Sequence, residues 1–114
     1  IITGISINGP VISQSTQPTY NSSFKILAFA AQVSSQNTIS NVKFYYKLSS
    51  ETNFNNKDMT GSSGNYTTSL TSVNSGITYH YYFSATDSSG TTYYGANGLS
   101  QTAPITNYLS YTTQ

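Results

Sequence analysis

The side chains able to do acid–base, nucleophilic or metal chemistry are few. The 114 residues hold three acids (Glu51, Asp58, Asp87), one imidazole (His80) and four lysines (Lys25, Lys43, Lys47, Lys57), with no Arg and no Cys. A hydrolase needs a base beside a nucleophile, or two carboxylates in one cleft. Asp87 opens the turn Asp87-Ser88-Ser89-Gly90, while Glu51 and Asp58 bound a polar excursion, so no compact dyad is expected. His80 and Asp87 lie on one strand, where seven residues of extended chain put roughly 23 Å between them. That distance excludes a triad. One His and three scattered acids do not make a four-ligand metal site, and the Asp87 turn lacks the ligand density of a calcium loop. The chain is therefore expected to be no enzyme and to carry no cofactor and no metal.

Binding is the remaining class of function. The lysines are too dispersed to form the basic stripe that nucleic acid requires, and a net charge of +1 gives no long-range pull toward phosphate or anionic lipid. Only Lys43 and Lys47, on the outer face of one strand, are placed to act together. Beside them Tyr45, Tyr82 and His80 are expected on the same outer sheet face. Aromatics among amides on a sheet are what a carbohydrate-binding module stacks on pyranose rings, so these three are glycan-stacking candidates. Cross-strand Tyr packing, at a fraction of a kcal/mol per pair, explains the same residues equally.

These residues depend on strands to hold them. From Tyr79 the side chains alternate, with Tyr79, Tyr81, Phe83 and Ala85 on one face and His80, Tyr82, Ser84 and Thr86 on the other, the period of a strand. Val42, Phe44, Tyr46 and Leu48 alternate with Lys43, Tyr45 and Lys47 in a second strand. In the most apolar segment, Phe24 to Val33, the residues Leu27, Phe29, Ala31 and Val33 face inward and Ile26, Ala28 and Ala30 outward. Solvent faces of antiparallel sheets are normally polar. That row is either small enough to tolerate water, misread by one residue, which would exchange the faces, or a partner surface. Tyr66, Thr68 and Leu70 give a further strand, and Thr91 to Tyr94 begin another, hairpinned to the Tyr79 strand. Ile105, Tyr108, Leu109 and Tyr111 suggest one more, or a continuation past a bulge at Pro104. Ile5, Ile7, Val11 and Ile12 straddle Asn8-Gly9-Pro10 as a broken edge strand, with Gln17 to Asn21 read as the loop after it. No helical period is present, and β-branched and aromatic residues fill the strand candidates.

Gly76, Tyr79, large residues at 81 and 83 and a small one at 85 resemble strand F of fibronectin type III and related immunoglobulin-like domains. The resemblance covers residues 24 to 94. It implies an all-β, immunoglobulin-like antiparallel sandwich of about seven to eight strands, residues 1 to 114 forming a single domain. It also implies that Tyr79 is the tyrosine corner, its hydroxyl bonded to upstream backbone. Relatives carry a Trp near the second strand; this chain has none, so Phe44 or Tyr46 must fill that volume.

Charged residues make up 6% of the chain, where about 25% is ordinary, and 11 Tyr with Ser, Thr, Asn and Gln supply the polarity. This composition is similar to that of archaeal envelope proteins, including archaellum anchor ectodomains, surface-layer and filament components. The similarity implies an extracellular or cell-surface structural domain whose partner is an envelope protein or a second copy, as a homodimer or by strand addition. Ile26, Ala28, Ala30, Ile5 and Ile7, with Ile1 and Ile2, are the interface candidates. The alternative is a carbohydrate-binding or spacer module of a secreted enzyme, with glycan as partner. The start Ile1-Ile2-Thr3-Gly4 reads as a fragment, and the apolar run Ile26 to Ala31 falls far short of the roughly 20 residues that span a bilayer. Membrane contact is thus expected only through a segment outside it. Asn21-Ser22-Ser23 and Asn65-Tyr66-Thr67 are glycosylation sequons of a kind that chance supplies in so Asn- and Ser-rich a chain.

Overall fold

A computed structural model describes residues 9–14, 16–62, 64–103 and 107–114. Eleven strands and no helix are found among them: β1 (Val11–Ser13), β2 (Thr19–Asn21), β3 (Ile26–Ser34), β4 (Asn41–Leu48), β5 (Asn55–Asp58), β6 (Thr60–Ser62), β7 (Asn65–Leu70), β8 (Thr78–Asp87), β9 (Gly90–Gly95), β10 (Gly98–Ser100) and β11 (Leu109–Thr112). Among the described residues no helix is therefore long and apolar enough to cross a membrane. All pairings are antiparallel. One sheet runs β1-β3-β7-β6, with β2 also on β3; the other runs β10-β9-β8-β4-β5, with β11 also on β8. The chain passes between sheets at β3 to β4, β5 to β6 and β7 to β8, which gives an immunoglobulin-like sandwich.

The expected seven to eight strands become eleven segments for two reasons. The edge partner of β3 comes in two pieces, since β1 pairs with residues 32 to 34 and β2 with 26 to 28. Likewise β9 flanks Phe83 to Asp87 of β8, and β11 flanks Thr78 to Tyr81. Thr19–Asn21, read from sequence as loop, is thus a strand. So is Asn55–Asp58, within the polar excursion, paired along β4. The C-terminal pattern does continue the line of β9, but the detour between them is a hairpin to β10 rather than a simple bulge. Pro104 and Ile105 lie outside the described residues, as do Ile1, Ile2, Ile5 and Ile7.

The core follows the alternation. Leu27, Phe29, Ala31 and Val33 of β3 are buried against Val42 and Phe44 of β4 and Tyr81, Phe83 and Ala85 of β8. Phe29 and Phe44 meet across the sheets at 4.3 Å between ring centroids, and Tyr81 lies edge-on to Phe29 at 4.9 Å. Tyr46 stacks on Phe44 at 5.3 Å. The place of the absent Trp is therefore filled by a cluster of rings. Each contributes large apolar area at little conformational cost.

The corner before β8 departs from the fibronectin pattern. The hydroxyl that reaches the backbone ahead of β8 belongs to Tyr20 of β2, donating to the Val73 carbonyl at 2.6 Å. Tyr79 is half-buried between Leu48 and Tyr111 on the neighbouring strands and does not fill the tyrosine-corner role. A second clasp comes from buried Thr113. Its hydroxyl donates to the Asn74 carbonyl at 2.8 Å and accepts from the Ile77 amide at 3.0 Å, and its own carbonyl accepts from the Gly76 amide at 3.0 Å. Gly76 makes the bend with φ of +75°, a region that costs other residues about 1–2 kcal/mol.

Candidate functional site

On β8 the alternation predicts one dry and one wet face, yet both are covered. Tyr82 is 7% exposed and Ser84 2%, although each points away from the core. The cover is a second aromatic layer on the outer side of the six-stranded sheet. Pairing register places Tyr45 directly opposite Tyr82 and Lys47 opposite His80. Tyr45 stacks on Tyr82 with 4.6 Å between centroids and 11° between planes. Phe54, just before β5, stands edge-on to Tyr82 at 5.0 Å, and Tyr93 of β9 does so at 6.2 Å. Tyr108, just before β11, stacks on His80 at 4.4 Å and meets Phe54 edge-on at 5.7 Å. Tyr82 is the floor of this layer, and the half-exposed rings of Tyr45, Phe54, Tyr93 and Tyr108 form its rim.

One cation is absorbed into the layer and a second is paired beside it. Lys47, expected on an open surface, is 7% exposed. Its ammonium donates to the Glu51 carbonyl at 2.9 Å and lies 5.5 Å from the Phe54 ring centroid and 5.4 Å from that of Tyr108. Such cation–π contacts gain strength as water is excluded. Lys43 is held by Asp58 at 2.8 Å. The two lysines therefore do not form a joint basic site. His80 is pushed below the ordinary imidazole range by burial and by the Lys47 ammonium beside it. Its Nδ1 is buried with no hydrogen-bond partner among the described residues. A bare acceptor is cheaper to bury than an unpaired N–H, so the proton of the neutral ring sits on Nε2. Burial likewise raises the Tyr82 hydroxyl above the usual phenol range.

The structure thus brings Tyr45, Tyr82 and His80 together, with Tyr82 and His80 underneath. Phe54, Tyr93 and Tyr108 complete the face and were missed. Tyr93 was within reach: a two-residue turn after Asp87 sets Gly90 opposite it and counts Tyr93 onto Ser84, on the outer face. Phe54 and Tyr108 follow irregular segments whose register no local pattern reveals.

The interface candidates Ile26, Ala28 and Ala30 form one half-buried row on the outer face of β3, which confirms the register read for that strand. Asn21, Thr19 and Ser69, and Thr67 stand beside them in turn. Asn21 and Asn65 of the sequons are both exposed.

A polar cleft of about 460 Å³ opens at the end of the sandwich where Asp87 lies, lined by Ser35, Asn37 and Ser89 among others. Asp87 accepts from the Ser35 hydroxyl and, at 2.8 Å each, from the amide and hydroxyl of Ser89. These bonds, the Ser35 hydroxyl foremost, lower its carboxyl to about 2. With its oxygens so engaged, Asp87 pins two loops together. Among the described residues no three His, Cys, Asp or Glu side chains gather as a metal site.

No protein-family model matches the sequence, and no curated protein matches it. In fold the chain is similar to a crystal structure of a bromine derivative of BhCBM56, a carbohydrate-binding module. The TM-score is 0.55, with 12% identity over 95% of this chain and 96% of that one. At that identity the likeness establishes the two-sheet sandwich alone.

Proposed function

We propose that this chain is a non-catalytic, extracellular carbohydrate-binding module whose ligand lies on the aromatic face of the six-stranded sheet. The observation that carries this reading is the outer layer itself: a buried Tyr82 floor with Tyr45, Phe54, Tyr93 and Tyr108 around it. Cross-strand packing alone accounts for a pair of tyrosines. It does not account for rings recruited from β9 and from the segments just before β5 and β11 onto a face that the sandwich leaves open. Amide and hydroxyl groups stand beside the rings, Asn56 next to Tyr45 and Ser110 next to His80. Rings for stacking with a few polar groups for orientation are what a saccharide site needs. The likeness in fold to a carbohydrate-binding module supports the same reading.

The test is retention on immobilised polysaccharides, with release of reducing sugar followed in the same samples. The wild type is expected to be retained without hydrolysis, and Tyr45→Ala to lose about tenfold in affinity, the equivalent of 1.4 kcal/mol. No retention on any polysaccharide refutes the proposal.

A second reading, a structural domain in a surface assembly, draws on the apolar row Ile26, Ala28 and Ala30, which does face outward. It predicts self-association that Ile26→Lys abolishes. Sedimentation showing monomers for both proteins removes it.

A further inference from the structure

The charges on and around the aromatic face limit what it can hold. Lys43 is neutralised by Asp58 at the rim. Lys47 is buried with its ammonium on the Glu51 carbonyl and against two rings. Glu51 turns its carboxylate back onto the Leu48 amide at 2.8 Å, and the Lys57 ammonium is tied to the Ser69 carbonyl at 2.6 Å, toward the other sheet. Asp87 is engaged at the sandwich end, away from the rings. The charges beside the rings, Lys43 and Lys47 against Glu51 and Asp58, thus cancel in formal sum, Lys43 and Asp58 as a direct pair and Lys47 buried.

We infer that the face selects an uncharged polysaccharide, and that it does so because the charges beside its rings sum to zero, one cation buried and the other paired with Asp58. This rests on the carbohydrate reading. An acidic polymer brings carboxylates or sulfates that would lose water against tyrosine rings with Lys47 buried and Lys43 already paired, and a cationic polymer finds Asp58 paired and no net negative charge beside the rings. Desolvating an unpaired charge is costly, whereas sugar hydroxyls retain partners among the amides and hydroxyls between the rings. Binding is therefore driven by stacking and is insensitive to salt. The Lys43–Asp58 pair is the element that keeps the rim neutral: without Asp58, a lysine would stand beside Tyr45 with its charge available.

The experiment compares retention on a neutral glucan, mannan and xylan with that on a polyuronate and on chitosan. It is run at about 0.01 M and about 1 M NaCl, between which the screening length falls from roughly 30 Å to roughly 3 Å. Retention on at least one neutral polymer, changing less than about twofold across that range, is expected. Stronger retention on polyuronate or chitosan, or a salt-dependent loss on the neutral polymer, overturns the inference and leaves the carbohydrate reading standing. No retention anywhere overturns both. Asp58→Asn is expected to gain retention on polyuronate that disappears at high salt, with neutral binding unchanged. Absence of that gain refutes the role given to the ion pair.

Discussion

Replacing Tyr82 by Ala separates floor from rim. Tyr82 is 93% covered, judging from its 7% exposure, and touches three rings at 4.6, 5.0 and 6.2 Å. Truncating a large buried aromatic costs about 3–5 kcal/mol. The hole left here opens toward solvent and can fill with water, so the lower end, about 3 kcal/mol, applies. For a domain of this size 1 kcal/mol moves the melting temperature by roughly 4 °C, which gives a drop of about 12 °C. Tyr45→Ala removes a half-exposed ring whose main contact is one stacked pair, about 1 kcal/mol and roughly 4 °C. Calorimetry on the two variants, with retention measured well below both transitions, reads the difference. The expected pattern is a large stability loss for Tyr82→Ala and, for Tyr45→Ala, a small one accompanied by weakened binding. Equal melting temperatures for Tyr82→Ala and wild type would show that the outer rings are not packed as a layer, and the separation into floor and rim would fall.

Asp87 has its carboxyl lowered to about 2 from 3.8. Its contribution is full above the unfolded value and is lost as pH falls from about 4 to about 2, so Asp87→Asn should flatten the acid limb of a melting-temperature profile. His80 is lowered from 6.5, so the unfolded chain binds its proton first and stability declines as pH drops below about 6.5; an NMR titration should place the imidazole midpoint below that value, and His80→Gln should remove the decline. The buried Thr92 hydroxyl donates to the Pro10 carbonyl at 2.5 Å, and Thr92→Val, which leaves that carbonyl without its donor, should cost about 1–3 kcal/mol in urea unfolding. A hydroxyl-for-methyl exchange with no measurable effect would mean water replaces the bond.

The sandwich was legible because strand period survives in the sequence. Leu27 to Val33, Val42 to Leu48 and Tyr79 to Ala85 each alternate in sequence, and all their inward residues but Leu48 are in the observed core or packed against it. That Tyr45, Tyr82 and His80 share an outer face was legible from alternation, and Tyr93 could have been added because a tight turn fixes register between β8 and β9. Burial of Tyr82 and Lys47 was not. It depends on Phe54 and Tyr108, which arrive from residues 49 to 54 and 101 to 108 with no periodic pattern to count along. The tyrosine corner failed for a related reason. The hydroxyl bond to the backbone ahead of β8 is here a long-range contact, supplied by Tyr20, 53 positions from Val73. The strand-F spacing specifies which side of the strand Tyr79 occupies, not what its hydroxyl reaches.

Because β9 and β11 each guard a different half of β8, the described residues between Gly95 and Leu109 pair with neither half. Nature or an engineer can lengthen that detour, or graft another hairpin in place of β10, while the central strand keeps both escorts. Tyr108 rides at its far end, so such grafts would reshape the aromatic rim first. The seam is where this chain has room to change what it grips without relearning how to fold.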